Sequence, residues 1–140
     1  MAALLDVNVL VALLVHEHQH HEMAVDWFSK AASAGWATCT VTELGVIRVC
    51  AQLPGTKWPP EATADRLLMM IVTNREHVWW PSAISPAVLP EVRSAETGKQ
   101  VTDRYLLGMA RRNRGQLVTF DRALATTGGD AVICLLPDHE

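Results

Sequence analysis

The sequence predicts an α/β domain in which a parallel sheet is covered by helices on both faces. Three observations lead there. Short apolar runs of strand length alternate along the chain with segments of helical period, the pattern of βαβ units. Of the 140 residues, 49% are apolar and 19% charged, the balance of a chain with one buried core rather than a disordered one. No internal repeat, linker or low-complexity tract divides the sequence, so residues 1–140 read as a single domain.

Residues 3–6 form a short buried strand. Val7 to Val15 is apolar on nearly every side, which fits either a buried helix or a longer strand; Asn8, two residues after Asp6, favours a strand-to-helix turn. The polar run His16-Glu17-His18-Gln19-His20-His21 reads as a loop. Residues 22–33 form a helix with Met23, Trp27, Phe28 and Ala31 on one stripe, closed by Gly35. Trp36 to Cys39 is a strand, and Thr42 caps a helix running to about Gln52. After a loop marked by Pro54-Gly55 and Pro59-Pro60, residues 61–74 return to helical spacing through Ala64, Leu67, Leu68 and Ile71. His77 to Trp80 is a strand stopped by Pro81. Residues 82–100 are rich in Pro and Ser, with one short helix near Pro86 to Val92. Thr102 to about Arg112 is a helix, Leu117 to Phe120 a strand, Arg122 to Ala125 a helical turn and Val132 to Leu136 a last strand.

No apolar stretch reaches the roughly 18 residues of a membrane span, and the N-terminus has no basic region or cleavage site of a secretory signal. The expected compartment is the cytoplasm. Cys39, Cys50 and Cys134 lack paired metal-ligand spacing and read as reduced core thiols. A formal charge of −3 argues against broad nonspecific attraction to nucleic acid, while leaving room for a local basic rim.

Four acids stand at strand ends or helix starts. Ala2-Ala3-Leu4-Leu5 ends in Asp6, and Gln116-Leu117-Val118-Thr119-Phe120 ends in Asp121. Glu43 and Asp103 each follow a threonine that opens a helical stretch. Singly, each has an ordinary explanation: a helix cap, a turn, or a negative charge in a first helical turn. Together they point elsewhere, because open parallel sheets bind ligands outside the carboxyl ends of their strands. Carboxylates gathered there repel one another unless a cation or protons stand among them.

The flanking residues carry a resemblance. Leu4-Leu5-Asp6-Val7-Asn8-Val9-Leu10-Val11-Ala12-Leu13 resembles the opening motif of PIN-domain nucleases, and Thr42-Glu43-Leu44-Gly45-Val46-Ile47-Arg48 their second acidic motif. Val101-Thr102-Asp103-Arg104-Tyr105-Leu106-Leu107 resembles the third, and Leu117-Val118-Thr119-Phe120-Asp121-Arg122 the fourth. Order and spacing fit from residue 4 to about 136. The length and the segment His77-Val78-Trp79-Trp80-Pro81 are most similar to VapC-type toxins of bacterial toxin–antitoxin pairs. The resemblance implies a three-layer α/β/α sandwich with a mainly parallel sheet of about five strands. It implies an endoribonuclease using magnesium or manganese, with Asp6, Glu43 and Asp103 as ligands and Asp121 completing the pocket. It also implies a homodimer and a cognate antitoxin that occupies the acidic groove.

Hard divalent cations prefer carboxylate oxygens and water, which agrees with that ligand set. Asn8 and Thr119 lie two residues from an acid, where they orient it or a metal-bound water, or simply bond within the turn and strand end. Arg48, Arg112 and Arg114 are candidate grips for RNA phosphates, against the plainer reading of solvated helix surface. The histidine-rich run lacks a second segment of ligands and reads as a solvated loop rather than a zinc site. Trp58, between Lys57 and Pro59, is the expected exposed ring, with Trp27, Trp36 and one of Trp79 and Trp80 in the core. Two rivals remain. A phosphoacceptor signalling domain requires adjacent acids after the first strand and a lysine near the last, and neither is present. A catalytically idle PIN-like module binding RNA or protein would not need all four acids.

Overall fold

The computed structural model describes residues 1–137. Five strands form one sheet: β1 (Ala3–Leu5), β2 (Trp36–Cys39), β3 (His77–Trp80), β4 (Gln116–Thr119) and β5 (Val132–Cys134). Their order is β3-β2-β1-β4-β5 and every pair is parallel. From β1 the chain steps outward to β2 and β3, then returns across the sheet to β4 on the other side of β1. The strand order therefore reverses between β1 and β4, which makes the crevice above their carboxyl ends the expected ligand site.

The helices are α1 (Val7–Leu14), α2 (His21–Ala31), α3 (Thr40–Gln52), α4 (Pro60–Thr73), α5 (Pro90–Arg93), α6 (Val101–Arg112) and α7 (Arg122–Gly128). The helices divide between the two faces of the sheet, α1–α4 on one and α5–α7 on the other. Strand side chains divide accordingly. Ala3, Leu5, Trp36 and Val118 join Val9, Leu10, Val46 and Leu67 in one apolar layer, and Leu4, Ala37, Cys39 and Leu117 join Leu89, Leu106 and Leu107 in the other. The period-two alternation of each strand thus feeds two cores, and the three-layer sandwich follows.

The ambiguous segment after Asp6 is a helix. Val9, Leu10, Val11 and Ala12 are all buried, so it is apolar because it lies under other helices. Thr42 is not the residue before α3 but its third residue. Its hydroxyl accepts from the Cys39 N–H at 2.9 Å, one half of a capping box based on Cys39. In α4 the inward positions are Thr63 and Leu67; Leu68, expected on that stripe, is 58% exposed. The Pro- and Ser-rich stretch holds 3-10 turns at Pro86–Val88 and Gly98–Gln100 beside α5. The turn after Asp121 extends into a helix to Gly128. Trp79, at 51%, is the exposed ring, whereas Trp58 is half-buried beneath the Arg66 guanidinium, 4.2 Å from its ring centre. All three cysteines are free thiols. No helix among the described residues is long and apolar enough to cross a membrane.

One contact sets the spacing of the helices that carry the first two acids. A Cβ on Gly45 of α3 would run into Cγ2 of Val7, the residue after Asp6. Val7 is β-branched and in a helix, so it has little rotamer freedom to yield. Gly45→Ala is expected to lower stability by about 1–3 kcal/mol through overpacking, even though alanine raises helix propensity by roughly 1 kcal/mol. Urea denaturation measures this; an unchanged midpoint would mean that α1 and α3 are free to move apart.

Candidate active site

Asp6 ends β1 and caps α1, so its carboxylate is placed by the point where strand becomes helix. Oδ1 accepts the Val7 N–H at 2.7 Å and Oδ2 accepts the Thr119 hydroxyl at 2.8 Å. The backbone N–H of Asp6 donates to Val118 O at 3.0 Å, continuing the ladder between β1 and β4 beyond the strand itself. Only 5% of Asp6 is exposed. Burial pushes its pKa up and the nearby charge of Asp121 pushes the same way, against the hydrogen bonds from Thr119 and Val7.

Thr119 serves two acids at once. While its hydroxyl donates to Asp6, its Oγ1 accepts the N–H of Asp121 at 3.1 Å. Asp121 then caps α7, accepting the Leu124 N–H at 3.1 Å. Asp103 comes from the first turn of α6 and is half-buried. Its pKa is raised to about 6, first by burial and then by the charges of Asp6 and Asp121. These three aspartates, from three separate segments, share one electrostatic neighbourhood at the switch point. Asp103 and Asp121 line a cleft of about 50 Å³, with Gln100, Arg104 and Thr127 beside them. That volume holds a few water molecules.

Glu43 stands in the first turn of α3, and its Oε2 accepts the Thr38 hydroxyl at 2.6 Å. Burial lowers the pKa of His77, and the Glu43 charge nearby raises it, so this acid's field falls on β3. Asn8 is exposed in the first turn of α1. Arg48 is exposed, five residues and about 7.5 Å along α3 from Glu43. Arg112 is nine residues, about 13 Å, along α6 from Asp103, and Arg114 lies beyond it with φ 56°. α6 runs from the carboxylate edge back to the start of β4, so Arg112 and Arg114 stand at the other end of the sheet. Arg104 lines the cleft with Asp103 and Asp121, and Arg122 opens α7 directly after Asp121. Arg104 donates to Ser94 Oγ at 3.1 Å and Arg122 to Pro137 O at 2.9 Å.

The donor set suits a hard divalent cation. It consists of oxygens, and the repulsion from Asp6 and Asp121 that adds to burial in raising Asp103 is what a cation would relieve. Among the described residues no three His, Cys, Asp or Glu side chains converge tightly enough to hold an ion directly. Magnesium usually keeps several waters and takes one or two carboxylates, so the arrangement fits an ion bound partly through water.

The fold belongs to a recognisable class. The PIN domain family model matches residues 3–130, and the chain belongs to the PIN-domain family. Its relatives are VapC proteins. Ribonuclease VapC29 of Mycobacterium tuberculosis is 38% identical over 135 residues, covering 96% of this chain and 97% of its own. Ribonuclease VapC44 of the same organism is 40% identical over 130 residues, covering 91% of each chain. Among solved structures, VapBC2 of Rickettsia felis bound to a promoter DNA fragment aligns with a TM-score of 0.69 at 12% identity, over 96% of this chain and 98% of that one. M. tuberculosis VapC20, a sarcin-ricin loop cleaving toxin, aligns at 0.65 and 10% identity, over 91% and 95%. At these identities the structural likeness speaks for the fold.

Burial of Asp103, with the charges of Asp6 and Asp121 beside it, makes stability depend on pH. The Asp103 carboxyl titrates at about 6 in the folded protein against 3.8 ordinarily. A raised folded pKa means that its contribution is fully present below the unfolded pKa and lost as pH rises through the folded one. In metal-free protein Asp103→Asn should therefore be more stable than wild type by roughly 1–3 kcal/mol at pH 7.5 and nearly equal to it at pH 3.5. Urea titrations in chelator at the two pH values test this. A difference independent of pH would show that folding does not raise the Asp103 carboxyl, through burial or through its neighbours.

Proposed function

We propose that this protein is a magnesium- or manganese-dependent endoribonuclease, the toxin of a toxin–antitoxin pair. The observation that carries the reading is the gathering of Asp6, Asp103 and Asp121 at the switch point of a sheet whose family includes the VapC ribonucleases. Asp6, Glu43, Asp103 and Asp121 would hold the ion, directly or through water. A bound ion supplies Lewis-acid polarisation of the phosphodiester and makes water a stronger nucleophile at neutral pH. The chain's own groups set the stage. Thr119 fixes Asp6 through its hydroxyl, the α1 start offers the exposed Asn8 amide to a water or phosphate oxygen, and Arg104 lies along the cleft. Arg48, Arg112 and Arg114 would meet the phosphates of an RNA long enough to run down α3 or α6.

The partners follow from the same reading: an RNA substrate, a second copy of this chain, and a cognate antitoxin covering the acidic groove with a basic side chain. The VapC relatives and a structural neighbour solved as a VapBC pair support the antitoxin.

Cleavage of RNA is expected with magnesium and lost with chelator. Asp6→Asn and Asp103→Asn should each fall by more than the 10–100-fold typical of losing an outer-shell partner. Equal cleavage by all three proteins, with and without chelator, would leave a nuclease of another kind or a contaminant. No cleavage of any RNA by wild type, with RNA or protein binding retained, would favour an idle binding module. Adding the antitoxin should abolish cleavage; undiminished activity in a stable complex would contradict inhibition at the groove.

A further inference from the structure

We infer that Thr38 and His77 are positioning residues for Glu43, forming a hydrogen-bonded relay that holds the second acid of the site in one orientation. This rests on the reading of the carboxylates as a metal centre. Thr38 interrupts the strand Trp36-Ala37-Thr38-Cys39 with a hydroxyl at a position with no exposed surface. A buried hydroxyl is costly unless it is bonded, and this one is bonded twice. It donates to Glu43 Oε2 at 2.6 Å and lies 2.8 Å from His77 Nε2.

The chemistry fixes the direction of both bonds. An ionised carboxylate only accepts, so the Thr38 proton goes to Glu43. Thr38 Oγ1 must then accept from His77, which places the imidazole proton on Nε2. The Thr38–Glu43 distance is that of a charge-assisted O–H···O⁻ bond. His77 is held in turn by its neighbours: the Trp36 ring meets it edge-on at 4.5 Å, and Trp36 Nε1 donates to Asn74 O at 3.3 Å. The relay therefore runs from β3 through the middle of β2 to the first turn of α3. It commits Oε2 of Glu43 and leaves Oε1 without a hydrogen bond among the described residues. Outer partners of this kind tune metal sites by orienting the ligand and setting its basicity.

Manganese binding to RNA-free protein, followed by electron paramagnetic resonance of free Mn²⁺, tests the relay apart from catalysis. Thr38→Val keeps the shape and removes the hydroxyl, and should weaken binding about 10–100-fold. Thr38→Ser should recover most of that loss. His77→Phe, changed at a half-buried position where folding is less at risk, should weaken binding in the same direction, and His77→Gln, which keeps a donor near Nε2, should recover it. In a Glu43→Gln background the Thr38→Val loss should vanish, because the relay acts only through Glu43. Binding by Thr38→Val and His77→Phe equal to wild type, or a Thr38→Val loss undiminished in the Glu43→Gln background, would overturn the relay. Failure of wild type itself to bind Mn²⁺, or binding by Asp6→Asn equal to wild type, would instead overturn the metal centre on which it depends.

Discussion

The hydrogen bond from Thr119 to Asp6 is the constraint on which the site depends. It joins the end of β4 to the end of β1 across the place where strand order reverses, at 2.8 Å and almost out of reach of solvent. A carboxylate there would be expensive to bury without donors, and it receives two, one from the helix it caps and one from the neighbouring strand. Because the same hydroxyl accepts from Asp121, one threonine sets the spacing of two acids. The third, Asp103, arrives on the helix that returns across the sheet, so the long crossover from β3 to β4 is what completes the group.

Gathering these carboxylates costs the protein something wherever all of them are ionised with no cation among them. Both Asp6 and Asp103 are harder to ionise than ordinary aspartates, first because of burial and then because of neighbouring charge, from Asp121 on Asp6 and from Asp6 and Asp121 on Asp103. Such clustering of perturbed groups in a cleft is typical of functional positions. Glu43 differs from the aspartates in kind. It is bonded to a buried threonine on β2, and its charge acts on His77 of β3. The four acids read together from the sequence thus divide into a coupled trio and a fourth held by its own relay.

Much of this was legible in the residues. Strand-length apolar runs ending at Asp6 and Asp121 gave the sheet, and the parallel order follows because every pair of strands is separated by helical segments. The apolar run Val7–Val15 could not be assigned by period, since a segment buried on all sides has no polar face to mark its repeat. Leu68 was misplaced on α4 for a related reason: helical spacing identifies a stripe only when the opposite face is polar, and Leu68, Met69 and Val72 are all exposed there. The arginines divide between the two ends of the sheet. Arg112 and Arg114 follow Asp103 in sequence, but α6 carries them to the far end of the sheet, and Arg104 and Arg122 occupy the near end. Thr38 carries a signal in the sequence, a lone hydroxyl in an apolar strand five residues before an acid.

The central claim is that the three aspartates at the switch point share a divalent cation. Diffraction from crystals grown with Mn²⁺, recorded at the manganese absorption edge, tests it without reference to RNA. The account predicts an anomalous peak among Asp6, Asp103 and Asp121, lost in crystals of Asp103→Asn. A fully occupied peak elsewhere on the chain, with none at the aspartates, would contradict it.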